Sequence, residues 1–453
     1  MSVRQPTKTL STPLFPEKKL VRKIINHIIS AEDMKPISQL IIIIMAGALP
    51  AFSGPVEPFF EDLPPGVLVE TSSVVPKAKT TEFSAKLGGE IDRVTNSKVK
   101  VQGRTIQVNC ITAADEASAV RIHEKIGKPF PFSHREGLRI IEYVGKGTNS
   151  ALALKTSYEL GLLEKPDTLQ FTYVAEVAAV DRADYMSCNL LFNEFLKQQA
   201  ADASAGGRIE GLAGKFSFGN SLSLRNPNST ASYTFNPKPQ RKDADGACTN
   251  YFFESLPVRN KIPYITLRYK GLTTSEAVSP AEAVPSPQST AATDYWPVKN
   301  AKIKNLAKKI TKTTASNEDK AQAILEWLNP GANLKYSGKT GSRWGTITVL
   351  EQGFGHCWDF SDVFVTLCRA AGVPSRQVAG WLYGTSGHVW AEYYIENKGW
   401  KQVDPTGGGI LQCGIYHIPL FTTDDGEMPI VYLSMPQIKS EHEDASNPAK
   451  QDR

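Results

Sequence analysis

Gly353-Phe354-Gly355-His356-Cys357-Trp358-Asp359-Phe360 opens the segment on which the fold turns, and Leu367-Cys368-Arg369-Ala370-Ala371-Gly372-Val373-Pro374 closes it. Phe360, Phe364, Leu367, Cys368 and Ala371 recur at helical spacing, so one apolar stripe runs from about Cys357 to Ala371. Gly372 supplies the stop, and Pro374 prevents continuation. At ~100° per residue, Cys357 falls within the arc of that stripe. It is therefore expected at the helix N-terminus, on the face turned into the domain. Free N–H groups and the macrodipole there favour an anion, which can bring a cysteine pKa from ~8.5 into roughly 3.5–7.5. Asp359 and Asp362 fall on the opposite arc and are expected to steady the first turn.

Two strands follow. In Gly387-His388-Val389-Trp390-Ala391-Glu392, continuing to Ile395, alternation puts His388, Trp390, Glu392 and Tyr394 on one face. In Trp400-Lys401-Gln402-Val403-Asp404, residues Trp400, Gln402 and Asp404 share a face, and Asn397-Lys398-Gly399 makes a hairpin turn between the strands. The hairpin would bring Asp404 beside His388. Thiol, imidazole and carboxylate in that order suit a cysteine nucleophile: the thiolate attacks, the imidazole moves the proton, and the carboxylate fixes the imidazole's tautomer. The bland reading of a single Cys or His in a long chain is structural, but three separate local patterns in one order argue for a catalytic triad. His356 is expected to be a surface or turn residue, Cys368 to be core, and Trp358, Trp381, Trp390 and Trp400 to pack.

Residues from about Pro297 to Thr406, roughly a quarter of the chain, resemble the transglutaminase-like family, whose members have a papain-like core. The resemblance implies Cys357 as nucleophile, His388 as general base and acid, and Asp404 as its orienting carboxylate. Gly355-His356-Cys357-Trp358 is similar to the glycine-x-cysteine-tryptophan segment of animal-type transglutaminases, in which an upstream tryptophan helps hold the oxyanion. Trp344, in Ser342-Arg343-Trp344-Gly345, matches it, although its spacing to the cysteine is shorter. The resemblance implies no cofactor, and this chemistry needs no metal; no cysteine spacing suggests a zinc site. The expected partner is a protein or peptide substrate, and the expected reaction is amide cleavage or transfer through a thioester, with hydrolysis favoured. Protein-glutamine cross-linking and a non-catalytic binding scaffold are the alternatives.

The 453 residues allow two or three domains, with 41% hydrophobic and 21% charged residues and a net charge of +5. Basic residues do not alternate with aromatics, so nucleic acid is not implied. The fold class is α+β: a separate α+β domain over residues 65–272, then a transglutaminase-like domain over 297–436. All seven tryptophans fall between Trp296 and Trp400, marking off the second domain. In the first, a hairpin is expected at Lys98–Thr112, and helices at Glu116–Ile126, Asn149–Leu162 and Ala183–Gln199. Strands are expected at Arg139–Val144, Thr168–Val180 and Ile262–Tyr269, and around Phe216 and Tyr233. Nothing there has catalytic spacing, so that domain reads as a recognition or positioning module.

Residues 273–294, rich in Ser, Thr, Ala and Pro, read as a linker, after which Ser316-x-x-Asp319 caps a helix ending near Leu328. His417–Phe421 and Ile430–Leu433 read as strands joined by an Asp424-Asp425-Gly426 hairpin turn, and 437–453 as a disordered tail. In the 1–54 extension, the apolar core 40–49 and Ala46-Gly47-Ala48 read as a secretory signal, most compact when counted from Met34 rather than Met1. Export to the periplasm or medium is expected, without stable membrane insertion of the mature chain; a membrane anchor is the weaker alternative. With Cys357 and Cys368 assigned, Cys110, Cys188, Cys248 and Cys413 permit three complete disulfide pairings.

Overall fold

The computed structural model describes residues 63, 67–101, 104–145, 148–180, 216–227, 230–274, 285–328, 333–337, 343–407 and 413–443, all within one compact unit spanning 51–453. The apolar segment 40–49, the expected helix Ala183–Gln199 and Cys188 lie outside these residues. No helix among the described residues is long and apolar enough to cross a membrane.

The first half is sheet-rich. An antiparallel five-stranded sheet runs in the order Val67–Val74, Ile91–Val101, Arg104–Ala113, Arg139–Val144, Ser133–Glu136. Its central hairpin pairs Val101 with Arg104, where the sequence calls for it. Asp115 starts helix Glu116–Ile126 by accepting from the Ser118 N–H at 2.7 Å, and the helix buries Ala119, Ile122 and Ile126. Helix Ser150–Glu159 is buried from Ala151 to Tyr158. A second sheet has the order Ile430–Tyr432, Thr168–Ala179, Ile265–Thr274, Ser232–Asn236.

The second half carries a four-stranded sheet, Gly399–Val403, Gly387–Ile395, Ser375–Leu382, His417–Thr423, against which helix Cys357–Ala370 packs. Ser316 Oγ accepts the Asp319 N–H at 3.0 Å and so caps helix Asn317–Leu328. Gly372 ends that helix in the left-handed region at φ 81°, which lets the Val373 N–H return to the Cys368 carbonyl at 2.8 Å. One apolar cluster lies beneath this helix and includes Trp296, Ile324, Phe360, Phe364 and Tyr393; a second joins Phe171, Tyr173 and Leu267 to Trp381 and Ile418. The two halves thus share a core.

Three expectations are corrected, while Asp359 and Asp362, on the helix's second side, are fully buried, because Trp296, Arg343 and the sheet cover that side as well. Asp362 is satisfied by the Trp296 indole N–H at 2.9 Å, Arg343 Nε at 2.6 Å and Gln377 Nε2 at 3.1 Å. His417–Thr423 and Ile430–Tyr432 are not a hairpin: the first pairs with Ser375–Leu382, while the second crosses to Thr168–Ala179. Gln437–Ser440 also pairs with Thr168–Ala179, so order extends into the segment expected to be a tail. The linker is likewise built in at both ends. Thr273 and Thr274 close a strand, and Ser289, in the short turn Pro287–Thr290, donates to Asp424 Oδ1 at 2.9 Å. Cys248 and Cys413 are thiols, which leaves none of the three complete pairings; Cys368 is core, as expected.

A buried ionic cluster ties the halves together. Arg225 of strand Ser221–Arg225 reaches both oxygens of Glu392 on the histidine strand, at 3.0 and 2.8 Å, and Arg376 Nε reaches the same carboxylate at 2.6 Å. Burial would raise the Glu392 pKa, but the two guanidinium groups outweigh it and hold it at about 2. A depressed carboxylate pKa contributes stability that is present above the unfolded-state value and lost as pH falls towards the folded one. Stability is therefore expected to fall between about pH 5 and pH 2. Breaking a buried pair by removing one partner costs about 3–5 kcal/mol, and Arg376 remains to lessen that for Arg225→Met. Urea unfolding should show Arg225→Met destabilised by about 2–3 kcal/mol, with a weakened acid dependence in Glu392→Gln. An unchanged midpoint in Arg225→Met would show that the cluster does not hold the halves together.

Candidate active site

Cys357 is the first residue of helix Cys357–Ala370, with His356 as N-cap. Asp359 locks this turn: one carboxylate oxygen accepts the His356 N–H at 2.9 Å and the other accepts the Trp344 N–H at 2.8 Å. The thiol is 7% exposed, at a helix N-terminus, as the periodicity predicts. The hairpin supplies the other two members. Ala391 pairs with Val403, so Asp404 stands one step past the last paired residue and reaches diagonally to His388. His388 Nε2 and Asp404 Oδ2 are 2.7 Å apart. The other face of the imidazole interacts with the thiol.

The charges support one another. Burial would raise the Cys357 pKa, but His356 and His388 beside the thiol outweigh it and bring it to about 6. Burial would lower the His388 pKa, but the Asp404 carboxylate and the Cys357 sulfur raise it to about 10. Asp404 is held well below the usual carboxylate range: burial opposes this, and the two imidazoles of His388 and His417 overcome it. Both shifts favour a thiolate–imidazolium pair, with titrations that belong to the pair rather than to either residue.

Several neighbours were not assigned from the sequence. His356 is not a bystander: its ring stands against both the thiol and Tyr336, whose centroid is 4.6 Å away. Tyr336 is placed by a short parallel pairing with Gly355, and its hydroxyl lies beside the Cys357 sulfur and backbone N–H. Thr406 fixes Asp404 Oδ1 through its N–H at 3.0 Å and its Oγ1 at 2.7 Å. This Asp-x-Thr turn was readable, since aspartate commonly bonds the backbone two residues on. His417 Nε2 is 3.2 Å from Asp404 Oδ2, and nothing in its local sequence signals that contact. Trp344 is half-buried, its ring edge-on to Phe354 at 5.7 Å; its backbone N–H, through Asp359, is what ties it to the helix turn.

His388, Asp404 and His417 also form the one group, among the described residues, with atoms close enough to suggest a metal site. The 2.7 Å separation of His388 Nε2 and Asp404 Oδ2 argues against zinc. Tetrahedral ligands at about 2.0–2.1 Å lie about 3.4 Å apart. A shared proton fits the spacing.

Residues 304–405 match the profile described as the Transglutaminase-like superfamily. An uncharacterized protein of Bacillus subtilis, YebA, is 27% identical over 130 residues, which are 24% of this chain and 18% of that protein. The protein-glutamine gamma-glutamyltransferase of Pseudomonas aeruginosa is 27% identical over 122 residues, again 24% of this chain and 18% of that one. The matched segment is thus less than a fifth of either relative's length. Among solved structures, a candidate cysteine protease of Cytophaga hutchinsonii is 14% identical with a TM-score of 0.34, covering 61% of this chain and 90% of that one. The periplasmic domain of TgpA from Pseudomonas aeruginosa is 15% identical with a TM-score of 0.27, covering 43% and 77%. With Cys357, His388 and Asp404 brought together within the matched segment, the chain carries a transglutaminase-like domain over residues 304–405, preceded by a sheet-rich region.

Proposed function

We propose that this protein is a cysteine enzyme that cleaves amide bonds of proteins or peptides through a thioester on Cys357. The observation that carries the reading is the buried Cys357 beside a partly buried His388, with Asp404 2.7 Å from the imidazole. The Cys357 sulfur attacks the carbonyl carbon, and the amide π-electrons move onto oxygen. As the tetrahedral centre collapses, the C–N bond breaks and the His388 imidazolium gives its proton to the departing amine. Neutral His388 then takes a proton from water, which attacks the thioester and releases the acid and the thiolate. Hydrolysis is the favoured outcome because water needs no binding site, whereas an amine acceptor must outcompete it. Export, read from segment 40–49, would place this activity outside the cytoplasm.

The function is tested with a panel of peptides, incubated with and without an added primary amine and read by mass spectrometry. Cleaved acid in both arms supports hydrolysis. Amide adducts with the added amine would assign transamidation instead, and no turnover with wild-type Cys357 reactivity intact would favour a scaffold.

Iodoacetamide reads the nucleophile without a substrate. Cys357 should alkylate with a rate that rises through about pH 6, well below the ~8.5 of an ordinary thiol. Cys357→Ala should abolish this fast phase and keep its fold by circular dichroism. Fast labelling that survives in Cys357→Ala would place the nucleophile elsewhere.

The Cys357 N–H at the helix N-terminus is one donor for the oxyanion, and the Trp344 indole is the proposed second. Phe at position 344 keeps most of the packing and removes the donor, so Trp344→Phe should lower kcat by about 10²–10³ with little change in KM. If Trp344→Phe is silent while Tyr336→Phe is impaired, the role passes to the Tyr336 hydroxyl beside the thiol.

A further inference from the structure

His417 stands on the strand His417–Thr423 at the far edge of the catalytic sheet, 5% exposed, with its ring 5.1 Å from Trp390 and 5.9 Å from His388. The Gly414 N–H points at its Nδ1 from 3.4 Å, so Nδ1 accepts and the proton sits on Nε2. That proton faces Asp404 Oδ2 at 3.2 Å, the same oxygen that His388 engages at 2.7 Å. Oδ1 is occupied by Thr406. The carboxylate therefore cannot turn about its own axis without losing donors on both oxygens.

We propose that His417 is a positioning residue: as a neutral donor it holds Asp404 in line with His388 while the imidazole gains and loses its proton. The proposal rests on Cys357, His388 and Asp404 being the reacting triad. Its logic lies in the cycle itself. When His388 gives its proton to the leaving group, its charge-assisted hold on Asp404 weakens. The bonds from His417 and Thr406 do not depend on that proton, so Asp404 stays in place to receive the imidazolium that forms when water is deprotonated. The donor must be neutral for this. A second cation on Oδ2 would satisfy the carboxylate and weaken its pull on His388. The charged or titratable groups that face His417 are Asp404, His388 and, from helix Ser150–Glu159, Lys155. Burial, the largest effect, pushes the His417 pKa down, and the nearby His388 and Lys155 charges act in the same direction against Asp404.

The test compares three variants of the full chain by the pH dependence of Cys357 alkylation with iodoacetamide. Gln at 417 can offer an amide N–H where Nε2 stands; Asn is too short to reach, and Phe offers none. His417→Phe and His417→Asn should move the alkylation midpoint up by about one pH unit, a loss of rate of about fivefold at pH 6 that approaches about tenfold below it. His417→Gln should stay within about threefold of the parent, and thermal melting should show which variants remain folded. Should the Phe variant fail to fold, the contrast of Asn with Gln carries the test. Unchanged or downward midpoints in the folded Phe and Asn variants would overturn the proposal, as would a Gln variant as impaired as they are. A parent midpoint already near 8.5 would instead overturn the triad, and this inference with it.

Discussion

Asp404 must remain ionised while only 3% exposed, and the geometry of the site follows from how that charge is kept out of water. An isolated buried carboxylate would take up a proton. Here four donors converge on it: two imidazole nitrogens on Oδ2, and the N–H and hydroxyl of Thr406 on Oδ1. These donors come from the histidine strand, the turn after Val403 and the strand beginning at His417, so the sheet must form before the carboxylate can be buried. Once it is, its field favours imidazolium at His388, and the imidazolium favours thiolate at Cys357. The chemistry of the sulfur is in this sense decided 16 residues beyond His388, at a turn.

The same device recurs where no chemistry takes place. Glu392 is surrounded by Arg225 and Arg376, and Arg376 in turn lies over the Trp400 ring at 3.8 Å. Asp362 is met by Arg343, which lies over Tyr295 at 3.7 Å. Each buried charge is paired, hydrogen-bonded and flanked by an aromatic face. Such clusters add little net stability over apolar packing, but mispairing them is costly. They specify which elements meet, and they hold that meeting because leaving one partner buried alone is costly.

How much of this was legible follows from range. Helix Cys357–Ala370, its left-handed glycine stop, the hairpin turn at Asn397 to Gly399 and the Ser316 cap are set by residues within a few positions of one another, and all appear where periodicity and turn chemistry place them. The triad was legible for the same reason: each member sits in its own local pattern. What was missed is non-local. The burial of Asp362 depends on Trp296 and Arg343, which arrive from outside the helix. Ile430–Tyr432 has the composition of a hairpin partner, yet it pairs with a strand some 250 residues earlier in the chain. His417 and Tyr336 carry no spacing signal because sheet register, not sequence distance, brings them to Asp404 and Cys357.

That return of the C-terminal strands bears on the sheet-rich half, in which no catalytic spacing was found. Lys155, fully buried, donates to the Tyr383 carbonyl at 3.1 Å and stands over the Tyr416 ring at 4.5 Å; burial brings its pKa down to about 7. The Tyr416 hydroxyl donates to Glu159 Oε1 at 2.7 Å, and the Tyr383 N–H donates to the Tyr416 carbonyl at 2.9 Å. One helix of the first half therefore grips the residue immediately before His417, and so the start of the strand that carries this second imidazole to Asp404. On the other side Arg225 grips the histidine strand through Glu392. The two strands that deliver imidazoles to Asp404 are each anchored by a charged side chain from the sheet-rich half. That half is part of the scaffold that sets the triad's geometry, whatever else it recognises.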